Sequence, residues 1–174
     1  FVHRGLLAQP TQAAAEAFVR GVRHASGQNY LLGGRERVTA YECSAHAVVE
    51  APAEAGQANL WHTNHALVNH DAQRSEAEFE ALPERVRQSV KGSRDNATAR
   101  FCAVEDRLKR ASGPLDVAGV KAVLSAHDSP RHPVCRHAAA PAKAGSSSFM
   151  TVGSTVMTLG EPPALHIAPG PPCS

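Results

Sequence analysis

Between Trp61 and Asp71 the chain reads Trp-His-Thr-Asn-His-Ala-Leu-Val-Asn-His-Asp, gathering imidazoles, amides, a hydroxyl and a carboxylate in one short segment. A surface loop has no need of Trp61 and Leu67, and an ordinary core strand would not flank an asparagine with two histidines. The mixture suits a strand end that delivers polar groups to a pocket. Asn64 is the leading candidate, because a neutral amide N–H held in place can stabilise an oxyanion as it develops. His62, Thr63 and His65 then read as the wall of the site. A metal reading takes His62, His65 and His70 or Asp71 as ligands. On a strand, however, His62 and His65 would point to opposite faces, since an odd spacing flips sides.

The tetrapeptide His62-Thr63-Asn64-His65 resembles the signature near the active site of the acyl-coenzyme A:6-aminopenicillanic acid acyltransferase family, the autoproteolytic acyltransferases and hydrolases. Upstream, Arg4-Gly5-Leu6-Leu7, Ala25-Ser26-Gly27-Gln28-Asn29-Tyr30-Leu31-Leu32 and Val38-Thr39-Ala40-Tyr41-Glu42-Cys43-Ser44 follow in that family's order. Downstream, His127-Asp128, Val134-Cys135-Arg136-His137, Ser154-Thr155-Val156-Met157-Thr158-Leu159 and Pro169-Gly170-Pro171-Pro172-Cys173 resemble its closing part. The resemblance implies an α+β fold of the N-terminal-nucleophile hydrolase kind, an αββα sandwich.

It further implies a covalent mechanism. A precursor cuts itself before a cysteine, whose thiol attacks an amide or thioester while its own α-amine takes the proton. Asn64 occupies the place of the family's oxyanion asparagine, and no cofactor or metal is implied. This sequence begins at Phe1, holds no Gly-Cys junction, and has cysteines only at 43, 102, 135 and 173. The expectation is therefore that residues 1–174 are the C-terminal part of a single such domain. Its partner would be an N-terminal segment carrying the nucleophile, and 1–174 alone would be inactive. The other partner implied is a small amide or thioester acyl donor. The penicillin-forming members carry a Ser-Arg pair near the position of Ser146-Ser147-Ser148, and no arginine adjoins Ser147 here.

A second polar group, His127, His132, Cys135 and His137, offers soft and borderline metal ligands. Pro130 and Pro133 make that stretch a rigid loop, and no Cys-x-x-Cys accompanies it, so a structural role is expected. Arg136 within it is a candidate for a substrate carboxylate. The alternative function, from a different class, is a zinc-binding or metal-dependent hydrolase domain built on the histidines. Cys43 follows Glu42 in an apolar run, where burial would raise its pKa and leave it inert. Cys173, behind two prolines, is expected to be exposed.

Composition narrows the field. A formal charge of +2, with the arginines spread along the chain, gives no footprint for nucleic acid. No apolar run reaches the ~18 residues of a membrane span. Widely separated cysteines suggest reduced thiols rather than a disulfide framework, favouring the cytoplasm. A homo-oligomer is compatible with all of this.

The elements that must position these groups follow from periodicity and punctuation. Thr11 caps a helix over 11–24, with Ala14, Phe18 and Val22 on one face. Tyr30-Leu31-Leu32 and 38–42 form a hairpin through Gly33-Gly34, and 47–50 continues the sheet. Residues 52–57 read as a loop and 59–68 as a strand ending at the polar cluster. Ser75 and Glu78 make a capping box for a charged helix interrupted near Pro83 and broken at Gly92-Ser93. A separate helix over 96–109 carries Phe101, Val104 and Leu108, and Asp116 caps another. Residues 138–147 read as a small-residue loop, while 148–159 and 164–168 read as two closing strands. No internal repeat and no second domain are expected.

Overall fold

The structure is a computed structural model that describes residues 1–53, 59–111, 113–137 and 150–174. The fold is mixed α+β, and the chain divides into two compact units, Phe1–Arg94 and Asp95–Ser174.

In the first unit, α1 (Val2–Leu7) and α2 (Gln12–Gly21) accompany an antiparallel sheet of β1 (Gln28–Gly33), β2 (Val38–Cys43) and β3 (Val48–Ala51), in the order β1-β2-β3. Thr11 caps α2 by accepting the Ala14 N–H, as its sequence position predicts. The hairpin pairs Tyr30 with Tyr41 and closes with the Gly34 N–H donating to Arg37 O. Thr39 through Cys43 are buried in succession, as expected for a central strand covered on both faces.

Alternation along β2 sorts its side chains between two tasks. Tyr41 and Cys43 join Val19 of α2 and Tyr30 in the apolar core, with Val2, Leu6, Leu32 and Val48 packed against it. Thr39, in phase with them, donates to Glu16 of α2 at 3.2 Å, and Arg37 holds the other Glu16 oxygen at 2.6 Å. Arg20 of α2 donates to the Tyr41 hydroxyl at 2.9 Å and pairs with Glu50. Glu42, out of phase, faces away from this set.

The segment over 59–68 is not a strand. It runs as irregular chain into a short 3-10 turn at His70–Ala72, because its backbone donors are taken up by a side chain and not by a neighbouring strand. Next, α3 (Glu76–Glu80) opens with both halves of the Ser75–Glu78 capping box in place, and ends before Pro83. The expected break at Gly92-Ser93 is also corrected. A single helix, α4 (Glu84–Arg110), runs through it. One glycine costs a helix about 1 kcal/mol, which the flanking helix formers offset.

In the second unit, Asp116 caps α5 (Val117–Leu124) by accepting the Gly119 N–H at 2.7 Å. β4 (Gly153–Thr158) and β5 (Ala164–Pro169) form a two-stranded antiparallel sheet. Val156 is buried, whereas Met157, Leu165 and Ile167 share the opposite, exposed face. Gly170 (φ 94°) then turns the chain, and its N–H donates to Val152 O at 3.0 Å. Residues 54–57 of the expected 52–57 loop, the loop over 138–147 and the Ser146-Ser147-Ser148 run lie outside the described residues.

Candidate functional site

The organising group of the first unit is Glu42, which is 2 % exposed. Its Oε1 accepts the Leu67 N–H at 2.7 Å, and its Oε2 accepts those of Val68 and Asn69 at 2.9 and 2.8 Å. His62 Nε2 lies 2.8 Å from Oε1. Asn69, fully buried, returns the contact by donating from Nδ2 to the Glu42 carbonyl at 3.0 Å, while its Oδ1 accepts the Asp71 N–H at 3.1 Å. Asp71 in turn accepts from the Ser44 hydroxyl. Burial alone would raise the Glu42 pKa. The Asn69 and Leu67 N–H groups, His62 and the Val68 N–H together outweigh it, so the carboxyl sits below its ordinary value. A buried carboxylate thus does for 62–69 what a sheet neighbour would otherwise do.

Against this support lies a cavity of about 420 Å³. Its wall includes Gln28 and Asn29 from β1, Glu42 and Cys43 from β2, and His62, Thr63, Asn64 and His65. Four of the five residues expected at a site are therefore brought together. Thr63 Oγ1 and His65 Nδ1 lie 3.1 Å apart, and Asn64 is exposed at the cavity surface. The fifth, Arg136, belongs to the second unit, where its guanidinium donates to Asn96. Burial and the positive charge of Arg136 lower the pKa of nearby Arg100.

The metal reading of His62, His65 and His70 finds no support in this arrangement. His62 lies with Nε2 against Glu42 and Nδ1 against the Thr63 carbonyl, so both ring nitrogens are turned to oxygens of the protein and not toward a point shared with His65 and His70 or Asp71. His70 is exposed on the 3-10 turn. Among the described residues, three or more potential ligands converge at one place, and it is elsewhere: His127, Cys135, His137 and Cys173. His132, which the sequence places in that cluster, is not part of it. Cys173 takes its place.

Cys43 is buried, and burial pushes its thiol up to about 11. It therefore stays protonated near neutral pH and is no nucleophile there. Sequence reasoning missed Glu42 and Asn69. A glutamate inside a run as apolar as 38–43 was the available signal, since a lone acid in a central strand must find donors. Asn29 adds one more group, because its Oδ1 is buried without a hydrogen-bond partner among the described residues. No family model, curated protein or solved structure matches the chain.

Proposed function

We propose that residues 1–174 are the C-terminal part of an autoproteolytic cysteine-nucleophile amide hydrolase or acyltransferase of the N-terminal-nucleophile kind, and that Asn64 serves its oxyanion. The observation that supports this reading is the cavity at which Asn64 stands beside His62, Thr63 and His65, on a segment fixed by the Glu42 carboxylate. Catalytic donors act through preorganisation, and a loop held by three backbone hydrogen bonds to one carboxylate meets that requirement. The nucleophile is a cysteine encoded upstream, since the thiol nearest the cavity, Cys43, is held protonated. Its thiolate attacks the acyl carbon of a small amide or thioester, and the oxyanion forms toward Asn64. The amine or thiol then departs with the proton held by the α-amine, and water or an acceptor amine releases the acyl group. An α-amine has an unperturbed pKa of about 7.7–8.0, well placed for this exchange.

The test is to read the coding sequence upstream of Phe1, express the full product and measure intact masses before and after incubation with iodoacetamide. The expected result is a split before an upstream cysteine, and loss of amide or thioester turnover when that cysteine is alkylated. Turnover by purified 1–174 alone, or an upstream region with no cysteine, would overturn the reading.

A further inference from the structure

We propose that His127, Cys135, His137 and Cys173 bind one zinc ion in a closed tetrahedral site that ties the C-terminal tail to the loop following α5. The four ligand atoms all lie within 4.8 Å of one another. His127 Nε2 and His137 Nε2 are 3.1 Å apart, Cys135 Sγ and Cys173 Sγ 3.4 Å, His137 Nε2 and Cys173 Sγ 3.0 Å, and Cys173 Sγ and His127 Nε2 3.7 Å. A tetrahedron with Zn–S of about 2.3 Å and Zn–N of about 2.0–2.1 Å has edges of roughly 3.3–3.8 Å, so the cluster needs little adjustment.

Hydrogen bonding alone accounts poorly for this convergence. His137 Nε2 faces both His127 Nε2 and Cys173 Sγ, and one ring nitrogen has either a single N–H or a single lone pair to offer. Two imidazoles stacked 5.2 Å apart at 19° and two thiols directed at one point are well matched by a shared cation.

The backbone is arranged to deliver these ligands. Cys135 N–H donates to Ala126 O at 3.0 Å, which folds the loop so that His127 and Cys135 meet. Arg136 exchanges two hydrogen bonds with Thr151, its N–H to the hydroxyl at 2.9 Å and its carbonyl from the Thr151 N–H at 3.0 Å. After the turn at Gly170, Ser125 Oγ donates to Pro172 O at 3.0 Å, setting the residue before Cys173. Four protein ligands leave no open position for a substrate, which makes the site structural. The donor set, two thiolates and two imidazoles, selects zinc over the hard cations. Binding releases the two thiol protons, and the resulting centre is electrically neutral. The inference does not rest on the acyl-transfer reading, which needs no metal.

The experiment uses the full chain, purified under reducing conditions, with metal content measured by plasma mass spectrometry after dialysis against a mild chelator. About one zinc per chain is expected. The cobalt-substituted protein should show thiolate-to-cobalt charge transfer and the intense visible bands of a tetrahedral site. Cys173→Ser and His137→Ala, both at exposed positions, should each reduce retained zinc at least tenfold, while His132→Ala should leave it unchanged. Circular dichroism on each variant separates loss of metal from loss of fold. A folded wild-type chain that retains no zinc would overturn the inference. So would a Cys135–Cys173 disulfide recovered in peptides from protein purified without reductant but with zinc present, or undiminished zinc in folded Cys173→Ser.

Discussion

Asn69 and Glu42 bind each other twice, the Asn69 backbone N–H to the Glu42 carboxylate at 2.8 Å and the Asn69 side chain to the Glu42 backbone carbonyl at 3.0 Å. This reciprocal pair fixes the segment carrying Asn64 against β2, and most of what can be tested in the first unit follows from it.

Glu42→Gln keeps the shape but replaces one acceptor oxygen with a donor, which then faces backbone N–H groups. A buried, charged hydrogen-bond network broken on one side costs about 2–4 kcal/mol. Urea denaturation should show a lower midpoint with a similar slope, and hydrogen exchange should show lost protection at Leu67, Val68 and Asn69. Unchanged protection at those amides would refute the role assigned to Glu42.

The same carboxylate gives the segment a pH dependence. Its folded pKa is depressed, so the contribution is fully present above the unfolded value of about 4.3 and is lost as pH falls through the lower folded value. Trp61 fluorescence and amide protection at 67–69 should therefore hold from neutrality to mildly acidic pH and decline below about pH 4. A transition near pH 6 to 7 would point to a different group.

Cys43 should resist alkylation. With its thiol pushed to about 11 and its side chain in the core, it should react with iodoacetamide at mildly alkaline pH at least ~100-fold more slowly than an exposed thiol. Cys102, which is exposed, serves as the internal comparison in peptide mapping. Equal rates would make Cys43 itself a candidate nucleophile and remove the need for one upstream.

The proposed acyl-transfer function carries its own expectation: in the self-processed protein, Asn64→Ala should lower kcat by about 100- to 1000-fold. Asn64 is exposed, so the denaturation midpoint should shift little. A variant with wild-type kcat would end the oxyanion assignment.

Gly92→Ala offers a check on the helix that sequence reading divided in two. Apart from the adjoining backbone of α4 itself, nothing lies within 4 Å of the added methyl, so the substitution should stabilise α4 by about 0.5–1 kcal/mol. A destabilised variant would mean that α4 is not continuous at Gly92.

Local chemistry was readable along the chain wherever it decides local structure. Thr11, Ser75 and Asp116 cap the helices they were expected to cap, and the β1–β2 hairpin forms where aromatic and branched residues flank paired glycines. The burial of Cys43 followed from its neighbours in the same way. What could not be read was long-range. Trp61 to Val68 has the apolar content of a strand, and nothing within it reveals that a carboxylate some 25 positions earlier takes its backbone donors. Likewise Cys173 stands 36 residues from His137, and the turn at Gly170 and the Ser125–Pro172 hydrogen bond help bring it to the histidines. Sequence spacing registers neither.

The β4–β5 hairpin sets the terms on which this chain can be handled in solution. Met157, Leu165 and Ile167 lie on one side of a ribbon whose two strands pair with each other and, among the described residues, with no third strand at either rim. Such a ribbon is adhesive along its flank and along its borders at once. Crowding the 174-residue polypeptide therefore favours colloidal association, strongest where high salt weakens the repulsion between its few net charges.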